Sequence, residues 1–151
     1  MPDDQGFYLA APSGPGRAGV VLVHDWYGQL PHVRTLADEL AGAGLAALAV
    51  DLYGGRTTTD PGAAETLAGE MDRAAAPGRL EEAVTALKGR VDGGPVGVLG
   101  WSMGGRSQVW PGTEHAFANG DVALHAPDAA AEAWAITVRF LRDRLAGAAS
   151  G

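Results

Sequence analysis

The chain has no cysteine, a single lysine (Lys88) and no apolar run long enough to cross a bilayer. Without cysteine there is no disulfide, no thiolate nucleophile and no cysteine-ligated metal, so redox chemistry leaves the compartment open. The opening MPDDQGFYLA carries neither a basic segment nor a long apolar stretch. No signal peptide or membrane span is therefore expected, and a cytoplasmic location is. Positive charge is also scarce: 11 Lys and Arg stand against 18 Asp and Glu, a formal net charge of -7. No basic stripe is left to neutralise phosphates, which argues against nucleic acid and anionic membranes and for a small, neutral or weakly charged ligand. One lysine amid abundant arginine, alanine and glycine suggests a GC-rich bacterial genome. What the chain does have is 46% hydrophobic and 19% charged residues over 151 positions, the balance of one soluble globular domain spanning residues 1–151.

Hydrophobic periodicity divides the chain into alternating strands and helices. Phe7 to Ala11 reads as an outer strand closed by the turn Pro12-Ser13-Gly14-Pro15-Gly16. Gly19 to His24 and Leu45 to Leu52 are continuous apolar runs, the signature of strands buried on both faces of a parallel sheet. Between them, Val33, Leu36, Ala37, Leu40 and Ala41 form the stripe of a helix over Pro31 to Ala43, stopped by Gly44. Asp60 and Pro61 suit the N-cap and first position of a helix running to about Ala75. A second helix is expected from Pro77 to Lys88, then a strand over Val96 to Leu99. A final helix opens at Pro127 and Asp128, with Ala130, Trp134, Val138, Leu141 and Leu145 on one side. The alternation predicts an α/β fold with a mostly parallel sheet and helices on both faces. There is no repeat and no interdomain linker.

Chemistry concentrates where the last strand ends. Val96 to Leu99 runs into Gly100-Trp101-Ser102-Met103-Gly104-Gly105, a Gly-x-Ser-x-Gly motif at a strand-to-helix turn. Such a turn lifts the serine oxygen above the sheet, and Gly100 and Gly104 keep its flanks free of side chains. Ser102 is thus the candidate nucleophile. Backbone N–H groups opening the next helix point at a developing oxyanion, Met103 supplying one of them. A second donor is expected from the loop after an earlier strand, here His24-Asp25-Trp26-Tyr27-Gly28.

Four ordered segments resemble the dienelactone hydrolase family: Val21 to Gly28, Leu48 to Gly55, Gly100 to Gly105, and Trp110 to Phe117. The closing helix, with Ala133-Trp134 and Phe140-Leu141, is similar as well. The resemblance implies an α/β-hydrolase fold that cleaves small esters or lactones through an acyl-enzyme, without a cofactor or metal. Ser102 stands where the family's best-known members have cysteine, Trp26 matches the second oxyanion donor, and His115 matches the catalytic histidine. Asp25 stands where a glutamate often sits.

In the family several dozen residues separate nucleophile and histidine and carry the triad aspartate. Here only Met103 to Glu114 intervene, with no aspartate among them. The expected fold is therefore a truncated α/β-hydrolase, with Val109-Trp110 unable to form a normal parallel strand because a crossover needs about a dozen residues. Asp25 is open to three roles: substitute acid, hydrogen-bond partner within the site, or cap of the Trp26 and Tyr27 loop. Asp121 is placed to approach His115 from the loop beyond it. Trp26, Trp101 and Tyr53 either wall an apolar pocket or pack on the sheet, and His24 and His32 are expected to be structural or exposed. Loss of the outer strands leaves an apolar edge at Val96 to Leu99, through which a homodimer is expected. Two functions remain: an active serine hydrolase, or a catalytically impaired relative that binds a ligand or self-associates.

Overall fold

Two buried, side-by-side strands organise the molecule, a computed structural model that describes residues 6–102, 119–123 and 125–149. Strand β2 (Gly19–Val23) and strand β3 (Ala46–Val50) are buried at every position, as their unbroken apolar runs require. They pair in parallel from Gly19↔Ala46 to Val23↔Val50. Strand β1 (Phe7–Ala10) joins the far side of β3 antiparallel, and strand β4 (Val96–Gly100) joins the far side of β2 in parallel. The described sheet is thus ordered β1-β3-β2-β4. It is mixed, with its one antiparallel strand on the outside.

Alternation along the strands builds two cores. Val20 and Leu22 with Ala47 and Ala49 meet Val33, Ala37 and Leu40 of helix α1 (Pro31–Gly42). Leu141, Val138 and Leu145 of helix α4 (Pro127–Ala149) pack against the same face. Val21, Val23, Leu48 and Val50 face the other way, onto Ala83 and Leu87 of helix α3 (Ala76–Arg90). Helices therefore cover both faces, as the sequence pattern predicts. Each fully buried Val or Leu contributes about 1.5–3 kcal/mol through removal of apolar surface from water.

Helix α2 (Pro61–Glu70) starts as expected, with Asp60 Oδ1 accepting the Ala63 N–H at 2.8 Å and Pro61 in the first turn. It stops short of Ala75, however. Met71 is extended (ψ 132°), and Asp72 Oδ1 accepts the N–H groups of Ala74 and Ala75. An aspartate that captures the backbone ahead of it begins a new element instead of continuing the old one. Val109-Trp110 lies outside the described residues.

Candidate active site

The backbone after β4 bends sharply. Ser102 lies two residues beyond Gly100 and has φ +50°, a left-handed conformation that costs a non-glycine residue about 1–2 kcal/mol. A serine with positive φ just beyond a parallel strand has the backbone that a strand-to-helix elbow calls for. Gly100 pairs with Val23 in the ladder between β4 and β2. That pair is the last of the ladder, so Trp101-Ser102 and His24-Asp25 both leave the sheet just beyond it. Strands about 4.8 Å apart thus deliver the serine and the Asp25-Trp26 backbone to the same end of the sheet.

The loop after β2 is locked by its own polar groups. Asp25 Oδ1 accepts the Tyr27 N–H at 2.9 Å, and its carbonyl accepts the Gly28 N–H at 3.3 Å. Gly28 has φ +90°, and a β-carbon there would lie 2.6 Å from the Arg56 carbonyl oxygen. Asp51 repeats the arrangement after β3, accepting from Tyr53 N at 2.8 Å and from Gly55 N. Both loops read Asp-x-Tyr-Gly, as Asp25-Trp26-Tyr27-Gly28 and Asp51-Leu52-Tyr53-Gly54. This shared spacing is the sequence signal for a turn-forming aspartate.

The second oxygen of Asp25 is also engaged. Asn119 Nδ2 donates to Oδ2 at 3.1 Å, with Asp25 and Asn119 only 7% and 3% exposed. Asn119 Oδ1 accepts the Asp121 N–H at 3.0 Å. Asp121 Oδ2 in turn accepts the His32 backbone N–H at 2.9 Å and lies 3.3 Å from His32 Nδ1. A carboxylate from a distant loop thereby caps the amino end of α1, whose own N-cap, Leu30, has no side chain to do so. Burial lowers the His32 pKa, opposed by the Asp25 and Asp121 charges. Asp121, which the sequence lets approach His115, contacts His32; His115 itself lies outside the described residues. Asn119 was not singled out by sequence reasoning; it follows no motif of its own.

His24 is buried and tied between two loops. Its Nε2 accepts the Leu52 N–H at 3.0 Å, so the proton sits on Nδ1, which donates to the Asp25 carbonyl at 2.6 Å. Burial pushes its pKa down, against the Asp25 hydrogen bond and the Asp51 and Asp25 charges. It is structural, as is Tyr53, which is 4% exposed and edge-on to His24. Trp101 leans on Trp134 of α4 at 6.4 Å between ring centres and joins the core. Trp26 rests edge-on against Tyr27, and its buried Nε1 has no hydrogen-bond partner among the described residues. Among those residues no group of three or more His, Asp or Glu side chains could hold a metal. Met103, Gly104 and His115 lie outside the described residues.

The family comparison bears on this arrangement: the model of the dienelactone hydrolase family matches residues 6–109. The chain belongs to the dienelactone hydrolase family. The match takes in the β2 loop, the Asp51 loop and the Ser102 bend, and it ends before His115. A family of hydrolases thus accounts for more than half of the sequence. No curated protein matches the chain.

Proposed function

We propose that this family member is a serine hydrolase of small esters or lactones. Ser102 attacks the carbonyl carbon while His115 takes its proton. The N–H groups of Met103 and Trp26 hold the oxyanion, and collapse expels the alkoxide, which regains a proton from His115. Water then cleaves the acyl-serine by the same path in reverse, releasing the acid and restoring Ser102. The observation that carries this reading is the left-handed Ser102 two residues after β4, at the same end of the sheet as the loop that follows β2. A fluorophosphonate probe tests it, because only an activated serine is labelled. Wild-type protein should label, and Ser102→Ala should not. Turnover of 4-nitrophenyl acetate should fall about a thousandfold or more in Ser102→Ala and in His115→Ala. Equal rates in wild type and both variants would reject the mechanism.

A second reading, a hydrolase relative that binds or self-associates without turnover, draws on Asp25. Both of its oxygens are engaged by Tyr27 and Asn119, which favours a scaffolding role over that of a triad acid. On either reading we propose pairing of two copies along β4. Among the described residues β4 pairs with β2 alone, and Val98 at its centre is 56% exposed.

A further inference from the structure

We propose that His24 is a positioning residue: by holding the Asp25 carbonyl it turns the Trp26 N–H, the other end of the same peptide group, toward the side of the sheet where Ser102 lies. The proposal rests on the hydrolase reading and deepens it, since Trp26 is an oxyanion donor there. His24 touches no reacting atom and acts only through the backbone it holds.

A peptide group is planar and trans, so its carbonyl and its N–H point in opposite directions. The Asp25 carbonyl has two donors, His24 Nδ1 at 2.6 Å and the Gly28 N–H at 3.3 Å. From that carbonyl the His24 ring leads on to Leu52, whose N–H donates to Nε2 at 3.0 Å and which follows β3. In the sheet order β1-β3-β2-β4, strands β3 and β4 flank β2 on opposite sides. A carbonyl turned toward β3 leaves its N–H turned toward β4, and Ser102 comes two residues after β4.

The ring is itself held. His24 is fully buried, so bulk water does not compete for either nitrogen. Asp51 accepts the N–H groups of Tyr53 and Gly55 and so fixes the turn that presents the Leu52 N–H. Tyr53 lies edge-on to the imidazole, with 4.7 Å between ring centres. One side chain thereby couples the two Asp-x-Tyr-Gly loops, and the turn after β3 sets the peptide after β2. Without the imidazole that peptide keeps only the longer Gly28 bond, whereas an oxyanion donor works by being aimed before charge develops.

Two substitutions separate the ring nitrogens. Asparagine places an amide N–H where Nδ1 stands, keeping the Asp25 bond and giving up Leu52. Glutamine places an amide oxygen where Nε2 stands, keeping the Leu52 bond and giving up Asp25. Each leaves one buried backbone group unpaired, so a merely structural His24 lowers the unfolding temperature in both and leaves the rate of folded molecules alone. The readouts are kcat and KM for 4-nitrophenyl acetate, the rate of fluorophosphonate labelling of Ser102, and the circular dichroism spectrum at the assay temperature.

His24→Gln should lose about 10- to 100-fold in kcat and labelling rate with KM nearly unchanged, less than the roughly 100- to 1000-fold cost of deleting a donor outright. His24→Asn should restore both rates to within about threefold of wild type. Folded His24→Gln with wild-type kcat, or folded His24→Asn as slow as His24→Gln, would overturn the proposal. Should either variant fail to fold, the Trp26 amide proton of the wild-type protein decides, followed by proton–nitrogen correlation spectroscopy. The phosphonyl oxygen of the Ser102 adduct takes the oxyanion's place, and the resonance should move downfield as the adduct forms. An unmoved resonance would equally overturn the proposal. Failure of the wild-type protein to label removes the hydrolase reading and this one together. Labelling of wild type with an unaffected His24→Gln removes this one alone.

Discussion

His24 shows how a single titratable side chain couples the fold to pH. Its two ring nitrogens bridge the Asp25 carbonyl and the Leu52 N–H, and burial lowers its pKa below the ordinary 6.5. Below that value the unfolded chain binds a proton that the folded chain refuses, so folding stability falls as pH drops from 6.5 through the folded-state value. His32 acts in the same direction. Urea denaturation should accordingly give a higher midpoint at pH 7.5 than at pH 5.5, and His24→Ala should shrink that difference. At pH 7.5 the same substitution should cost about 2–4 kcal/mol, from the space left and from two backbone groups left unpaired. Gly28 offers a test without charge. Gly28→Ala meets both a φ of +90° and the Arg56 carbonyl, and should lower stability by about 2–3 kcal/mol in the same assay.

Among the elements, α3 is anchored to the sheet through Leu87. Leu87 is fully buried and packs against Gly19 so closely that a β-carbon on the glycine would come within 2.7 Å of it. Leu87→Ala should cost about 2–5 kcal/mol by denaturant titration, with the far-ultraviolet spectrum retained. The elements themselves were legible because a buried strand must be apolar at every position and a covering helix every third or fourth. The direction of β1 was not, since Phe7 to Ala10 would look the same run either way. The end of α2 was missed because Asp72 interrupts an alanine-rich stretch without changing its apolar pattern. That Ser102 follows the last described strand and the Trp26 loop follows β2 was legible from motifs. The Asp25 to Asn119 bond joins residues 94 positions apart, and no local pattern encodes a pairing at that distance. The turn role of Asp25 was one of three the sequence left open, and the repeated Asp-x-Tyr-Gly is the local signal that could have chosen it.

At the scale of the whole molecule, the exposed apolar side chains lie on β4 and α4 among the described residues. No helix among the described residues is long and apolar enough to cross a membrane. Exposed apolar surface is provided by Val98 on β4 and by Ile136 and Phe140 on α4, at 56%, 42% and 56%. Pairing along β4 predicts a concentration-dependent dimer in sedimentation velocity, shifted toward monomer by Val98→Lys, since an edge charge opposes strand addition. A monomer at all concentrations would remove the dimer and leave the hydrolase reading untouched. Helix α1 and the strands beside it close over short stretches of sequence, but the link from Asn119 back to Asp25 closes a loop of 94 positions, and the pairing of β4 with β2 and the packing of Leu141 beside Leu22 are likewise long-range. Such closures are entropically dearer than local ones and come late. On a ribosome the Asp25 loop emerges well before Asn119 is translated, so that loop is tied down only once the second half of the chain arrives.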